Sequence, residues 1–283
     1  MARLVPVGIV NCTPDSFSDG MGPLVDPSTG DRTVSTRKLI DKAQELLDAG
    51  AQLLDVGGDS TRPDSRCTDD EEEWRRIEPI LSHFSHKVPV SVDTHKAEIA
   101  RRAIDRGATM INDITGGIDS QLVEAVARSS VRYAYMFNAY GDAHCFRTSR
   151  HHISPSSAVS LISAWAQERS QLLAQRGIPL ERQVMDTGIG GFVSPDPAVS
   201  FAIIESYWEI TCPCTSRLLG CSRKGFLRQP NETSLMDRDA LTARIGATVA
   251  RAAPETSTLY LRVHDVARQL REIADSAPGI SLL

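Results

Sequence analysis

Apolar and polar positions alternate along the chain between two periods. Short apolar runs at about positions 6–10, 53–56, 88–92, 110–114, 133–137, 183–186, 217–220 and 259–263 predict strands. Longer segments between them repeat every three to four residues and predict helices. In the segment 36–48, for example, Leu39, Ile40, Ala43, Leu46 and Leu47 fall on one face. Further helices are expected at about 69–84, after Thr94, at 120–128, 155–175, 195–208 and 237–252, and after Asp265. Pro155 suits a helix N-terminus. A long polar loop rich in His and Arg, about 138–154, separates the fifth strand from its helix and reads as solvated. Eight strand-then-helix units imply a parallel sheet. Eight units in 283 residues point to an α/β fold of the closed (β/α)8-barrel type, one domain over residues 1–283. An open doubly wound sheet is the alternative, but it usually carries a glycine-rich turn after its first strand. Here that strand runs into Asn11-Cys12-Thr13-Pro14-Asp15.

In a barrel of this type, the C-terminal ends of the strands build the active-site mouth. Reading those ends gives Asn11, Asp55, Asp93, Asn112-Asp113, Asn138, Asp186, Ser222-Arg223-Lys224 and Arg262-Val263-His264. Any one of them has a plain reading, since Asp or Asn after a strand often caps the next helix. The whole set is harder to explain by capping. Asp93, Asn112 and Asp186 suit a flat heterocycle with several N–H groups and a carbonyl. Arg62, Lys224, Arg262 and His264 suit an anion such as diphosphate. Asn11 offers a hard oxygen to a Mg²⁺ otherwise held by water and phosphate.

Composition changes this picture little. A net charge of −5 argues against a general nucleic-acid binder, so an anionic ligand must be met by a few placed cations. No segment approaches a membrane span and the N-terminus does not read as a signal peptide, so the expected compartment is the cytoplasm. The six cysteines show no paired CxxC set; Cys212-Pro213-Cys214 is the only close pair, and reduced structural thiols are the expectation. Glu71-Glu72-Glu73 reads as a helix N-terminus meeting its dipole, and Trp165 and Trp208 as outer packing.

Seven segments, in order, resemble the dihydropteroate synthase family over nearly the whole chain. They are Gly8-Ile9-Val10-Asn11-Cys12-Thr13-Pro14-Asp15-Ser16-Phe17-Ser18-Asp19-Gly20, Asp55-Val56-Gly57-Gly58-Asp59-Ser60-Thr61-Arg62-Pro63, Val90-Ser91-Val92-Asp93-Thr94, Ile111-Asn112-Asp113-Ile114, Asp186-Thr187-Gly188-Ile189-Gly190, Ser222-Arg223-Lys224 and Arg262-Val263-His264-Asp265. The resemblance implies a transferase that joins 6-hydroxymethyl-7,8-dihydropterin diphosphate to p-aminobenzoate and releases diphosphate. It implies that Asp93, Asn112, Asp186 and Lys224 hold the pterin, beside Ile114, Met136 and Ser222. Asn11 would bind Mg²⁺, and Thr61, Arg262 and His264 would contact the diphosphate. Phe17, Pro63 and Phe192 would pack around p-aminobenzoate. Asp93, Lys224, Arg62 and Asp15 would carry the chemistry, and the family suggests a homodimer.

Four positions depart from the family pattern. Met136-Phe137-Asn138 stands where Met-His is usual, and Asp186-Thr187-Gly188 where Asp-Pro-Gly is usual. Gly191 separates Gly190 from the aromatic Phe192. Gly225 replaces a serine expected to hold the p-aminobenzoate carboxylate. These departures motivate two alternatives: a pterin-binding paralogue without catalysis, and a synthase with altered sulfonamide sensitivity through Phe137, Gly191 and Gly225. A pterin-dependent methyltransferase domain is a third alternative, but it has no need of the loops at 13–20 and 60–63.

Overall fold

The computed structural model describes residues 2–13, 35–59, 68–141, 153–228, 234–276 and 281–282. The strands β1 (Arg3–Asn11), β2 (Leu53–Gly57), β3 (Val90–Asp93), β4 (Met110–Asp113), β5 (Arg132–Met136), β6 (Gln183–Asp186), β7 (Ser216–Leu219) and β8 (Thr258–Val263) are all parallel. Each pairs with the next, and β1 pairs with both β2 and β8, which closes the barrel. Around it lie α1 (Thr36–Asp48), α2 (Asp70–Phe84), α3 (Ala97–Asp105), α4 (Ser120–Ala127), α5 (Pro155–Gln175), α6 (Pro197–Glu205), α7 (Leu235–Arg251) and α8 (Val266–Ser276). The expected (β/α)8 barrel is what the chain forms.

Local chemistry explains the helix boundaries. The Asp69 carboxylate caps α2, and Ser154 with Ser157 forms a capping box ahead of Pro155 at the start of α5. In α1 the buried residues Leu39, Ala43 and Leu46 recur at helical spacing. Some expected boundaries shift. The third strand begins at Val90 rather than Val88, because the Val88 N–H donates to Phe84 O (3.0 Å) and closes the turn after α2. The fourth ends at Asp113 rather than Ile114, because the Asp113 carboxylate accepts from Thr115 N and Gly117 N (both 2.8 Å) and turns the chain. The sixth helix starts after its cap Asp196 and stops at Glu205. The carbonyls of Tyr207 and Ile210 beyond it are taken by the buried Arg217 guanidinium. A short strand, β9 (Ser281–Leu282), pairs with Arg3 and Leu4 at the base of β1; two residues are too few to show a period.

The barrel interior is layered by the two-residue pleat. Val5, Val7, Leu53, Met110, Ala134, Val184, Leu218 and Tyr260 form an apolar floor. Two residues further along the same strands stand Asp55, Asn112, Met136, Asp186, Gly220 and Arg262. The intervening residues, such as Val56, Ile111, Tyr133 and Tyr135, join the larger core between barrel and helices. The fold therefore spends one pleat on packing and the next on polar chemistry, at the mouth. No described helix is long and apolar enough to cross a membrane.

Candidate active site

The polar layer is tied together by one guanidinium. Arg262 Nε donates to Asp55 Oδ2 (2.5 Å), and its Nη2 donates to Asp93 Oδ2 (2.8 Å). Asn112 Nδ2 approaches the same Asp55 oxygen at 3.3 Å. Asp55 is almost wholly buried, and its second oxygen Oδ1 has no hydrogen-bond partner among the described residues; neither has the nearby Ser91 Oγ. Unpaired buried acceptors are costly, and these two lie inside β2 and β3, in register with each other. Arg262 uses Nε and one Nη2 hydrogen on the carboxylates. Its Nη1 and the other Nη2 hydrogen are left over for further acceptors.

Burial, with Asp55, Glu73 and Asp113 nearby, pushes the Asp93 carboxyl up to about 7 from an ordinary 3.8, against the pull of Arg262. Its side chain keeps 22% of its surface exposed, so a ligand at the mouth can reach it. Burial likewise raises Asp186, against Lys224. It lowers Lys224, against Asp186. Burial also works against the charge on Arg262, but Asp55 and Asp93 outweigh it and hold the guanidinium firmly protonated. The mouth thus presents carboxylates and cations whose charges depend on one another.

On the far side, Asp186 Oδ1 accepts from Gly188 N (2.8 Å). Gly188 lies at φ +63°, and a Cβ there would meet Phe137 O at 2.1 Å, so no other residue fits that turn. Lys224 Nζ donates to Ile189 O (3.1 Å) and sits 5.0 Å from the centroid of the Phe192 ring. Phe192 packs on Ile114 and Met136, which gives the polar ring one apolar wall. Gly220 keeps the centre open: a Cβ there would lie 3.8 Å from Arg262 Cδ and 3.9 Å from Asp186 Oδ2.

After β7 and β8, Ser222 Oγ and His264 Nδ1 are 2.8 Å apart, and Ser222 Oγ accepts from His264 N (3.2 Å). Barrels frequently bind phosphate with the loops that follow these two strands. Asn11 ends β1, in register with Gly57. Among the described residues no three His, Cys, Asp or Glu side chains group as a metal cage. A Mg²⁺ that keeps water and substrate phosphate needs only one or two protein oxygens, and the Asn11 amide fits that demand.

The structure brings Asn11, Asp93, Asn112, Ile114, Met136, Asp186, Phe192, Ser222, Lys224, Arg262 and His264 to the C-terminal mouth. Asp15, Phe17, Thr61, Arg62 and Pro63 lie outside the described residues, as does most of the His- and Arg-rich loop. Three expectations change. Phe137 points outward, edge-on to Trp165 (ring centroids 5.3 Å apart), not into the pocket. Arg223, one of the strand-end residues, is turned away into a two-pronged pair with Asp239 (2.8 and 2.7 Å) from a left-handed backbone at φ 57°. Glu73, read as a dipole partner, is wholly buried against Lys96 Nζ (2.8 Å). Asp55 is the site residue that sequence reasoning undervalued. It stood among the strand ends, but nothing in the chain said it would share Arg262.

The family model for pterin-binding enzymes matches residues 7–264. The dihydropteroate synthase of Bacillus subtilis is 31% identical over 278 residues, covering 96% of this chain and 87% of its own. Among solved structures, Xanthomonas albilineans dihydropteroate synthase with 4-aminobenzoic acid aligns with a TM-score of 0.80 at 28% identity, covering 99% of this chain and 94% of that one. The Anaplasma phagocytophilum enzyme with bound 6-hydroxymethylpterin-monophosphate aligns at 0.79 and 26%, covering 98% and 99%. With the family model matching over most of its length and a curated relative 31% identical across nearly the whole of it, the chain belongs to the dihydropteroate synthase family of pterin-binding enzymes.

Proposed function

We propose that this protein condenses 6-hydroxymethyl-7,8-dihydropterin diphosphate with p-aminobenzoate, forming 7,8-dihydropteroate and diphosphate. The observation that carries the reading is the ring of Asp93, Asn112, Asp186 and Lys224 above an apolar floor, beside the Ile114–Met136–Phe192 wall. A flat heterocycle fits the wall by its face and the ring by its edge. In the reaction the bond from the pterin methylene to the diphosphate oxygen breaks, the arylamine nitrogen bonds to that carbon, and the amine proton leaves.

Asp93, when ionised, stabilises the positive charge that develops on the methylene and ring. Lys224 and the free N–H groups of Arg262 face the anionic substrate, with Ser222 and His264 beside the leaving group and Thr61 and Arg62 supplied by the second strand's loop. By the family resemblance, Asp15, Phe17 and Pro63 would position the arylamine and exclude water. Asn11 would hold a Mg²⁺, which would neutralise charge on the leaving diphosphate. No covalent enzyme nucleophile is required. The reading extends to a homodimer through barrel helices and to a cytoplasmic compartment; light scattering and cell fractionation check these two. The central test mixes protein, Mg²⁺, pterin diphosphate and p-aminobenzoate, and follows both products. Equal amounts of diphosphate and dihydropteroate are expected. Pterin binding without turnover would overturn the catalytic reading in favour of a binding paralogue.

A further inference from the structure

Cys212 and Cys214 lie in the turn between α6 and β7, away from the strand ends that form the mouth. Their sulfur atoms are 3.1 Å apart. The Tyr135 hydroxyl lies 3.4 Å from Cys212 Sγ and 3.7 Å from Cys214 Sγ. The two thiols are unequal. Cys214 is buried, whereas Cys212 is only partly buried and is flanked by the exposed Thr211 and Pro213. Pro213 favours extended backbone at Cys212, and in extended chain residues two apart project to the same side. Arg217, the second residue of β7, sets its guanidinium 5.2 Å from the Trp208 ring and acts electrostatically on Cys212. These are the features of a reactive dithiol: one accessible sulfur, a second sulfur within reach behind it, and a cation and a hydroxyl to settle the negative charge.

We propose that Cys212 and Cys214 form a redox site that reacts with small-molecule disulfides, Cys212 as the attacking thiol and Cys214 as the resolving one. The Cys212 thiolate attacks one sulfur of a disulfide RSSR, the S–S bond breaks, and RS⁻ leaves. Cys214 then attacks the Cys212 sulfur of the mixed disulfide, its proton passes to the departing thiolate, and a second RSH is released. The balance is two protein thiols and one RSSR giving one protein disulfide and two RSH. Cys214 and Tyr135 lower the Cys212 thiol to about 6 while Cys214 itself is raised, which matches this division of labour. Cys12 and Cys221 are buried, and burial pushes the Cys221 thiol up to about 12, so neither competes.

The test uses the full chain with oxidised glutathione, acid quenching, alkylation in denaturant and mass spectrometry of the peptide spanning Cys212 and Cys214. Loss of two hydrogens from that peptide is expected, with both sulfurs protected from alkylation and recovered by excess reduced glutathione. In Cys214→Ser the reaction should stop at a glutathione adduct on Cys212; in Cys212→Ser, Cys214 should stay free. The wild-type rate should rise with pH about a midpoint near 6. A lasting glutathione adduct on wild-type Cys212, or two thiols that remain alkylatable throughout, would overturn the proposal. Circular dichroism of each variant separates misfolding from lost chemistry.

Discussion

At the scale of single residues, Asp93 links stability to chemistry. The fold favours its acid form, with a carboxyl at about 7 against an ordinary 3.8. A raised carboxyl contributes stability that is fully present below the unfolded value and is lost as pH rises through the folded value. The ligand-free protein should therefore lose thermal stability between about pH 4 and 7. Asp93→Asn should flatten that slope, which a melting series from pH 5 to 8 reads directly. Catalysis runs the other way, because only the ionised group stabilises the developing cation. Wild-type kcat/KM should rise through pH 7, and Asp93→Asn should lose that step and fall roughly 10²–10³-fold. A step that survives in the variant belongs to the substrate.

Gly225 makes a second prediction at this scale. It is exposed, and nothing lies within 4 Å of a Cβ built there, so a serine fits without strain. Gly225→Ser should restore a hydroxyl toward the p-aminobenzoate carboxylate and lower its KM about two- to tenfold, with kcat little changed. Sulfonamide inhibition constants measured on the same pair show whether drug and substrate gain equally.

Among the elements, β2 and α2 are joined at the base of their connecting loop. Lys96, from just before α3, reaches Glu73 (2.8 Å), Asp59 and Asp70 (both 3.9 Å) and the carbonyl of Thr68. Arg76 of α2 donates to Gly58 O (2.7 Å) and Thr68 Oγ1 (3.1 Å). Burial raises the Glu73 carboxyl even with Lys96 beside it. Lys96→Met leaves a buried carboxylate uncompensated. It should destabilise the fold by about 3–5 kcal/mol at neutral pH. The loss should shrink toward pH 5 as Glu73 takes up a proton; urea midpoints at two pH values check this.

This cluster also shows where sequence reading stopped. The strand ends were legible because the pleat and the barrel rule place them without further knowledge. The helix α1 was legible from its period and α5 from Pro155 at its start. Glu73 was not, because a run of five acidic residues, Asp69 to Glu73, looks alike from outside and only packing selects the one that turns inward. Phe137 was misjudged for a similar reason. A family position names a neighbourhood, while the pleat sets the side chain's face, and Phe137 keeps the outward parity of Tyr133 and Tyr135.

For the whole molecule, the two ends of the barrel carry different duties. At the base β9 adds to β1 beside Arg3 and Leu4, far along the strand from Asn11. Truncation after Ser276 should cost roughly 1 kcal/mol of stability through the lost pairing and leave kcat unchanged. A drop in kcat without a drop in melting temperature would contradict that division.

The layering inside the barrel has a further consequence for how such a protein can change over time. Floor and reactive ring occupy the same strands, but one pleat apart, so substitutions in the ring fall on positions the floor does not need. A lineage under pressure from a substrate mimic can try many mouths while its foundation stands. The barrel's tolerance is thereby concentrated where novelty is useful, and its intolerance where novelty would be fatal.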